Sequence, residues 1–159
     1  MKNLNVIRKL DGMKKYQKWK ESWGNSDLDI FSFLSNEGSP EEALVFCKIL
    51  FPDFVIFNDL IFLDFRFDEK QVSAWATELG NDMENLQIFV NSVHLYDVFG
   101  GYQEDVDDAV FEALAEAVEI SWGMILRNKF PSQNFVVNRS SGEHGYGPVV
   151  NFYQVFYFD

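Results

Sequence analysis

The spacing of hydrophobic positions along this chain switches between a helical and a strand period, and the switches predict its elements. In "MKKYQKWKESW" Tyr16, Trp19 and Trp23 recur at i, i+3 and i+7, which is one face of a helix. In "SPEEALVFCKILFP" Ser39 is placed to cap a helix, Pro40 suits its first position and Glu42 completes a capping box. Phe51-Pro52 ends that helix, because the residue before a proline is pushed towards extended geometry. "FVIF" and "LIFLDFRF", separated by Asn58-Asp59, then read as a hairpin with a tight turn. Ile61, Leu63, Phe65 and Phe67 share the face of the second strand expected to enter the core. Leu60, Phe62, Asp64 and Arg66 share the other face, which is expected to be only partly covered.

Helical spacing then returns. Asp68 is placed to cap "EKQVSAWATEL", where Val72, Trp75, Ala76 and Leu79 form an apolar stripe and Gly80 ends the run. "DMENLQIFV" reads as a second helix, and a long one runs from about Glu104 to Lys129. "QNFVVN" and "PVVNFYQVFYF" close the chain as strands, the last one central because both its faces are apolar. The order is helix, two strands, three helices, two strands. Such segregation predicts an α+β fold, with helices packed on one antiparallel four-stranded sheet from residues 54–57, 60–67, 133–138 and 149–158. The long helix is expected to lay Val106, Val110 and Leu114 on that sheet. Residues 1–36 are expected to form a basic N-terminal helical segment that docks on, or extends from, an α+β domain over 37–159.

Composition narrows the class. At 159 residues and 47% hydrophobic, with 17 Phe, the chain suffices for a single domain with a substantial core. No apolar run reaches the roughly 18 residues a membrane helix needs, so no membrane association is expected. "MKNLNVIRKLDG" lacks a continuous apolar stretch, and one cysteine, Cys47, forms no internal disulfide. A cytoplasmic location is the expectation. Charge is unevenly spread: residues 1–20 hold seven Lys/Arg and one acid, net +6. The rest holds six Lys/Arg and 24 acids, net −18, which together give −12. An acidic body repels nucleic acid and attracts basic proteins.

Candidate chemistry is sparse. "RSSGEHGYGP" places Glu143 and His144 in a loop of about 11 residues between the last two strands, long for a hairpin. Its three glycines do not make a phosphate cradle, because Pro148 leads into a strand and no helix N-terminus follows. His94 and Asp97 are three residues apart, but two ligands do not make a zinc site. Cys47 lies mid-helix beside Phe46 and Ile49, an unpromising place for a nucleophile. No nucleophile elbow or nucleotide-binding motif occurs, and no cofactor or metal is expected. The long helix carries more information. Glu104, Asp108, Glu112 and Glu116 recur every four residues, with Asp105 and Glu119 on the same side. No Lys or Arg lies between Gln103 and Arg127 to relieve their repulsion. That acidic ridge is the expected partner-binding surface.

"LFPDFVIFNDLIFLDFRF" followed by "VHLYDVF", within residues 41–100, resembles a group of small, acidic, uncharacterised bacterial proteins. The chain is also similar in size and acidity to immunity proteins that neutralise bacterial toxins. The resemblance brings no activity with it. The function expected from the acidic ridge is a non-enzymatic, immunity-like binding module engaging a basic protein. The competing expectation is a carboxylate-based hydrolase, recognisable by two facing acids in a deep pocket.

Overall fold

The computed structural model describes residues 4–8, 13–24, 27–101, 106–141 and 146–156. Glu104, Asp105, Glu143 and His144 lie outside the described residues, as do the last two positions expected for the final strand. The chain divides into two compact units, Met1–Cys47 and Lys48–Asp159. Among the described residues there are seven α-helices and two small antiparallel sheets, an α+β architecture. No helix among them is long and apolar enough to cross a membrane.

The first unit holds α1 (Lys14–Ser22), α2 (Ile30–Glu37) and most of α3 (Pro40–Leu50). The aromatic stripe of α1 closes on α2: Phe33 meets Tyr16 and Trp19 edge-on, at centroid separations of 5.3 and 5.2 Å. Trp19 is thereby buried, whereas Trp23 stays exposed. Local chemistry sets the helix starts. Asp29 caps α2 by accepting from the Ser32 amide, and Ser39 caps α3 by accepting from the Glu42 amide.

In the second unit β1 (Phe54–Phe57) and β2 (Leu60–Leu63) form the expected hairpin. Asn58 and Asp59 both have positive φ, 51° and 63°, as a two-residue turn matching strand twist requires. β2 is shorter than expected, because residues Asp64–Arg66 coil into a 3₁₀ turn. Both of its faces are buried, not one. Ile61 and Leu63 join a core with Trp122 and Phe152, while Leu60 and Phe62 join another with Val72, Leu86 and Val90. α4 (Glu69–Glu78) and α5 (Met83–Val90) supply that second core, capped by Asp68 and Asp82. A short strand β3 (Val93–His94) and a single turn α6 (Leu95–Val98) precede α7 (Asp108–Lys129). β4 (Asn134–Ser140) and β5 (Val149–Val155) complete the chain.

The single four-stranded sheet is not formed. β1 and β2 make one sheet, and β3, β5 and β4 make another with β5 central. Side-chain amides occupy the boundary between β2 and β5. The Ile61 amide donates to Gln154 Oε1 at 2.8 Å, and the Leu63 amide to Asn91 Oδ1 at 3.0 Å. Asn91 Nδ2 donates both to the Ile61 carbonyl of β2 and to the Phe152 carbonyl of β5, at 3.1 and 3.2 Å. The outward backbone groups of β2 are thus satisfied by buried amides rather than by a neighbouring strand.

α7 packs on β4 and β5 through Leu114, Ala115, Val118, Trp122 and Leu126. Of the residues expected to face the sheet, Leu114 does so, whereas Val106 precedes the helix. Trp122 Nε1 donates to the Ile49 carbonyl at 2.8 Å, and Ser121 Oγ donates to the Leu50 carbonyl. The end of α3 is thereby fastened to the middle of α7.

Candidate functional site

α7 is well placed in its own field. Asp107 caps it by accepting from the Ala109 amide at 3.0 Å, and Arg127 and Lys129 lie in its last turn. Negative charge at the start and positive charge at the end both oppose the helix dipole favourably. Burying Ala115, Val118, Trp122 and Leu126 turns Glu112, Glu116 and Glu119 towards the half-buried flank, with Asp108 exposed at the start.

The ridge meets a cation that helical spacing does not reveal. Arg139, on β4, donates from Nε to Glu119 at 2.9 Å and from Nη1 to Glu112 at 3.2 Å. The bond to Glu119, with the charges of Glu119, Glu112 and Glu116, raises the Arg139 pKa above its usual value. One guanidinium thus bridges two turns of the helix. At the N-terminal end, Tyr96 donates its hydroxyl to Asp108 Oδ1 at 2.5 Å, which raises the tyrosine pKa.

A second feature lies in the same unit. A cleft of about 580 Å³ opens in the second unit, walled by Leu79, Ile88, Phe89, His94, Tyr146 and Val149. Among the described residues, no carboxylate lines it. Tyr146 donates to Asp97 Oδ1 at 2.6 Å, and its ring lies 6.2 Å from Tyr96. Two tyrosine rings therefore connect the cleft to the start of the acidic helix. Gly147 permits this packing: its φ is +77°, and a Cβ there would fall 2.6 Å from the Tyr96 ring. His94 does not meet Asp97 along a helix as metal ligands would, since it lies on β3 and Asp97 is taken by Tyr146. Among the described residues His94 Nδ1 has no hydrogen-bond partner, and no group of three or more His, Cys, Asp or Glu is arranged to hold a metal ion.

Of the ridge residues, Asp108, Glu112, Glu116 and Glu119 lie on α7, and Arg139 draws Glu112 and Glu119 together. Compared with protein families, with curated proteins and with solved structures, the chain matches none.

Proposed function

We propose that this protein is a non-enzymatic, acidic binding module that engages a basic protein, in the manner of an immunity-type inhibitor. The observation that carries this reading is the row of four carboxylates along α7, Asp108, Glu112, Glu116 and Glu119, which Arg139 joins at Glu112 and Glu119. The surrounding unit shares that sign. Met1–Cys47 holds seven Lys/Arg and seven acids, so Lys48–Asp159, with six and 18, carries the entire −12. Such a field accelerates encounter with a cationic surface. Exposed charge pairs give only about 0–1 kcal/mol each, so apolar contacts must supply most of the affinity.

A carboxylate-based hydrolase finds less support, because the described residues that line the cleft supply apolar groups, hydroxyls, an amide and one imidazole rather than facing acids. The test is affinity capture from native lysate with the wild type and with Glu112→Gln/Glu116→Gln/Glu119→Gln. Those changes remove charge but keep acceptors for Arg139. The wild type is expected to retain a basic protein that the variant loses and that salt releases. Identical recoveries, or none from either protein, would contradict the reading.

A further inference from the structure

Three of the exposed large apolar side chains of the second unit lie together. Leu79, Phe89 and Tyr146 all line the cleft and remain 40%, 54% and 55% exposed. Apolar side chains gathered open to solvent mark a surface that a partner covers. Two of these side chains are held in place. Trp75 meets Phe89 edge-on at 4.8 Å between centroids, and Asp97 accepts the Tyr146 hydroxyl. A side chain entering the cleft therefore meets pre-ordered groups, which lowers the entropic cost of binding.

Charge identifies what enters. From Gln71 to Leu126 the chain holds eleven Asp and Glu and no Lys or Arg. Exposed Glu78 and Glu84 directly precede the lining residues Leu79 and Asn85, and Asp97 is bonded to Tyr146. This setting repels an acidic segment, and it disfavours the second unit of another copy, which carries net charge −12. We propose that the cleft receives one aliphatic or aromatic side chain from a cationic peptide segment, whose Lys and Arg residues face Glu78, Glu84 and Asp97. The inference rests on the binding reading above and deepens it: the acidic helix attracts the partner, and the cleft supplies the apolar anchor point.

The test uses the full chain and blocked synthetic peptides, with binding followed by calorimetry and by backbone amide NMR shifts. One peptide carries a single Phe flanked by Lys and Arg; a second replaces the Phe by Ser; a third keeps the Phe but replaces the cations by Gln. The first is expected to bind and to shift the amides of Phe89, His94 and Val149. Losing either the Phe or the cations is expected to weaken binding by about tenfold or more. Phe89→Ala, and Ser140→Phe, which fills the cleft from an exposed strand position, are expected to weaken it comparably, with folding checked by circular dichroism. Shifts confined to α7, with Phe89→Ala binding normally, would overturn the cleft assignment while leaving the acidic helix as a binding face. Equal binding of the Gln peptide, no binding by any peptide, or a dimer of the chain abolished by Phe89→Ala would each overturn it as well. Failure of the binding reading as a whole is registered separately, by the lysate capture.

Discussion

Asn91 is completely buried, yet its side chain serves one backbone amide and two carbonyls drawn from two strands. Replacing it by Leu keeps the branched outline and strands all three groups, each of which costs about 1–3 kcal/mol when buried without a partner. Asn91→Leu is expected to destabilise the fold by roughly 2–5 kcal/mol in chemical denaturation. A loss below about 0.5 kcal/mol would mean that water or a neighbour takes over the bonds. Gln154 is nearly as critical, since its Nε2 donates to Asp59 and Gln133 while Oε1 accepts from Ile61. Gly147 is constrained differently, by its positive φ and by the Tyr96 ring against it. Gly147→Ala combines backbone strain with a clash and is expected to cost roughly 1–3 kcal/mol. A neutral or stabilising effect on thermal unfolding would show that the Tyr96 ring moves freely aside.

At the level of elements, the starts of helices are legible because capping is local. Ser39 and Asp68 each accept an amide three residues ahead, which the sequence announces within a single turn. The division of the sheet is not legible, because it depends on amides distant in the chain. Gln154 reaches β2 across 93 residues and Asn91 across 28, and polar residues ordinarily read as surface. The join between α6, α7 and the segment before β5 depends on two tyrosine–carboxylate bonds, Tyr96 with Asp108 and Tyr146 with Asp97. Both bonds raise the tyrosine pKa above the ordinary value of 10.0, since ionisation would remove the donated proton beside a carboxylate. Groups raised in this way contribute stability that is complete below pH 10 and is lost as pH rises through the elevated values. The phenols of Tyr96 and Tyr146 are expected to titrate late in tyrosinate absorbance, with Asp108→Asn and Asp97→Asn each returning one towards its usual range. No change in the absorbance titration on either substitution would contradict this.

Across the whole molecule, charge follows the division of the chain: the first unit is balanced and the second carries the full −12. The acids of α7 are legible from their fourfold spacing, but Arg139 is not, since it approaches from a strand 20 and 27 residues away from its partners. The cleft is equally hidden, because its walls come from α4–α5, β3, β4 and β5 and take shape only on folding. Arg139→Met leaves Glu112 and Glu119 facing each other without their cation. With side chains 28% to 34% exposed, solvent screens part of that repulsion, so a loss of about 1 kcal/mol is expected, smaller at high salt. An Arg139→Met protein as stable as the wild type at low salt would show that the bridge contributes nothing. Steering by the acidic second unit is tested most directly by the ionic-strength dependence of its association rate with the captured partner. For the wild type that rate is expected to fall about tenfold or more between roughly 0.05 and 0.5 M salt, while dissociation changes little. Glu112→Gln/Glu116→Gln/Glu119→Gln should flatten the slope. An association rate indifferent to salt, or the same slope for both proteins, would contradict recognition of a basic partner by this helix.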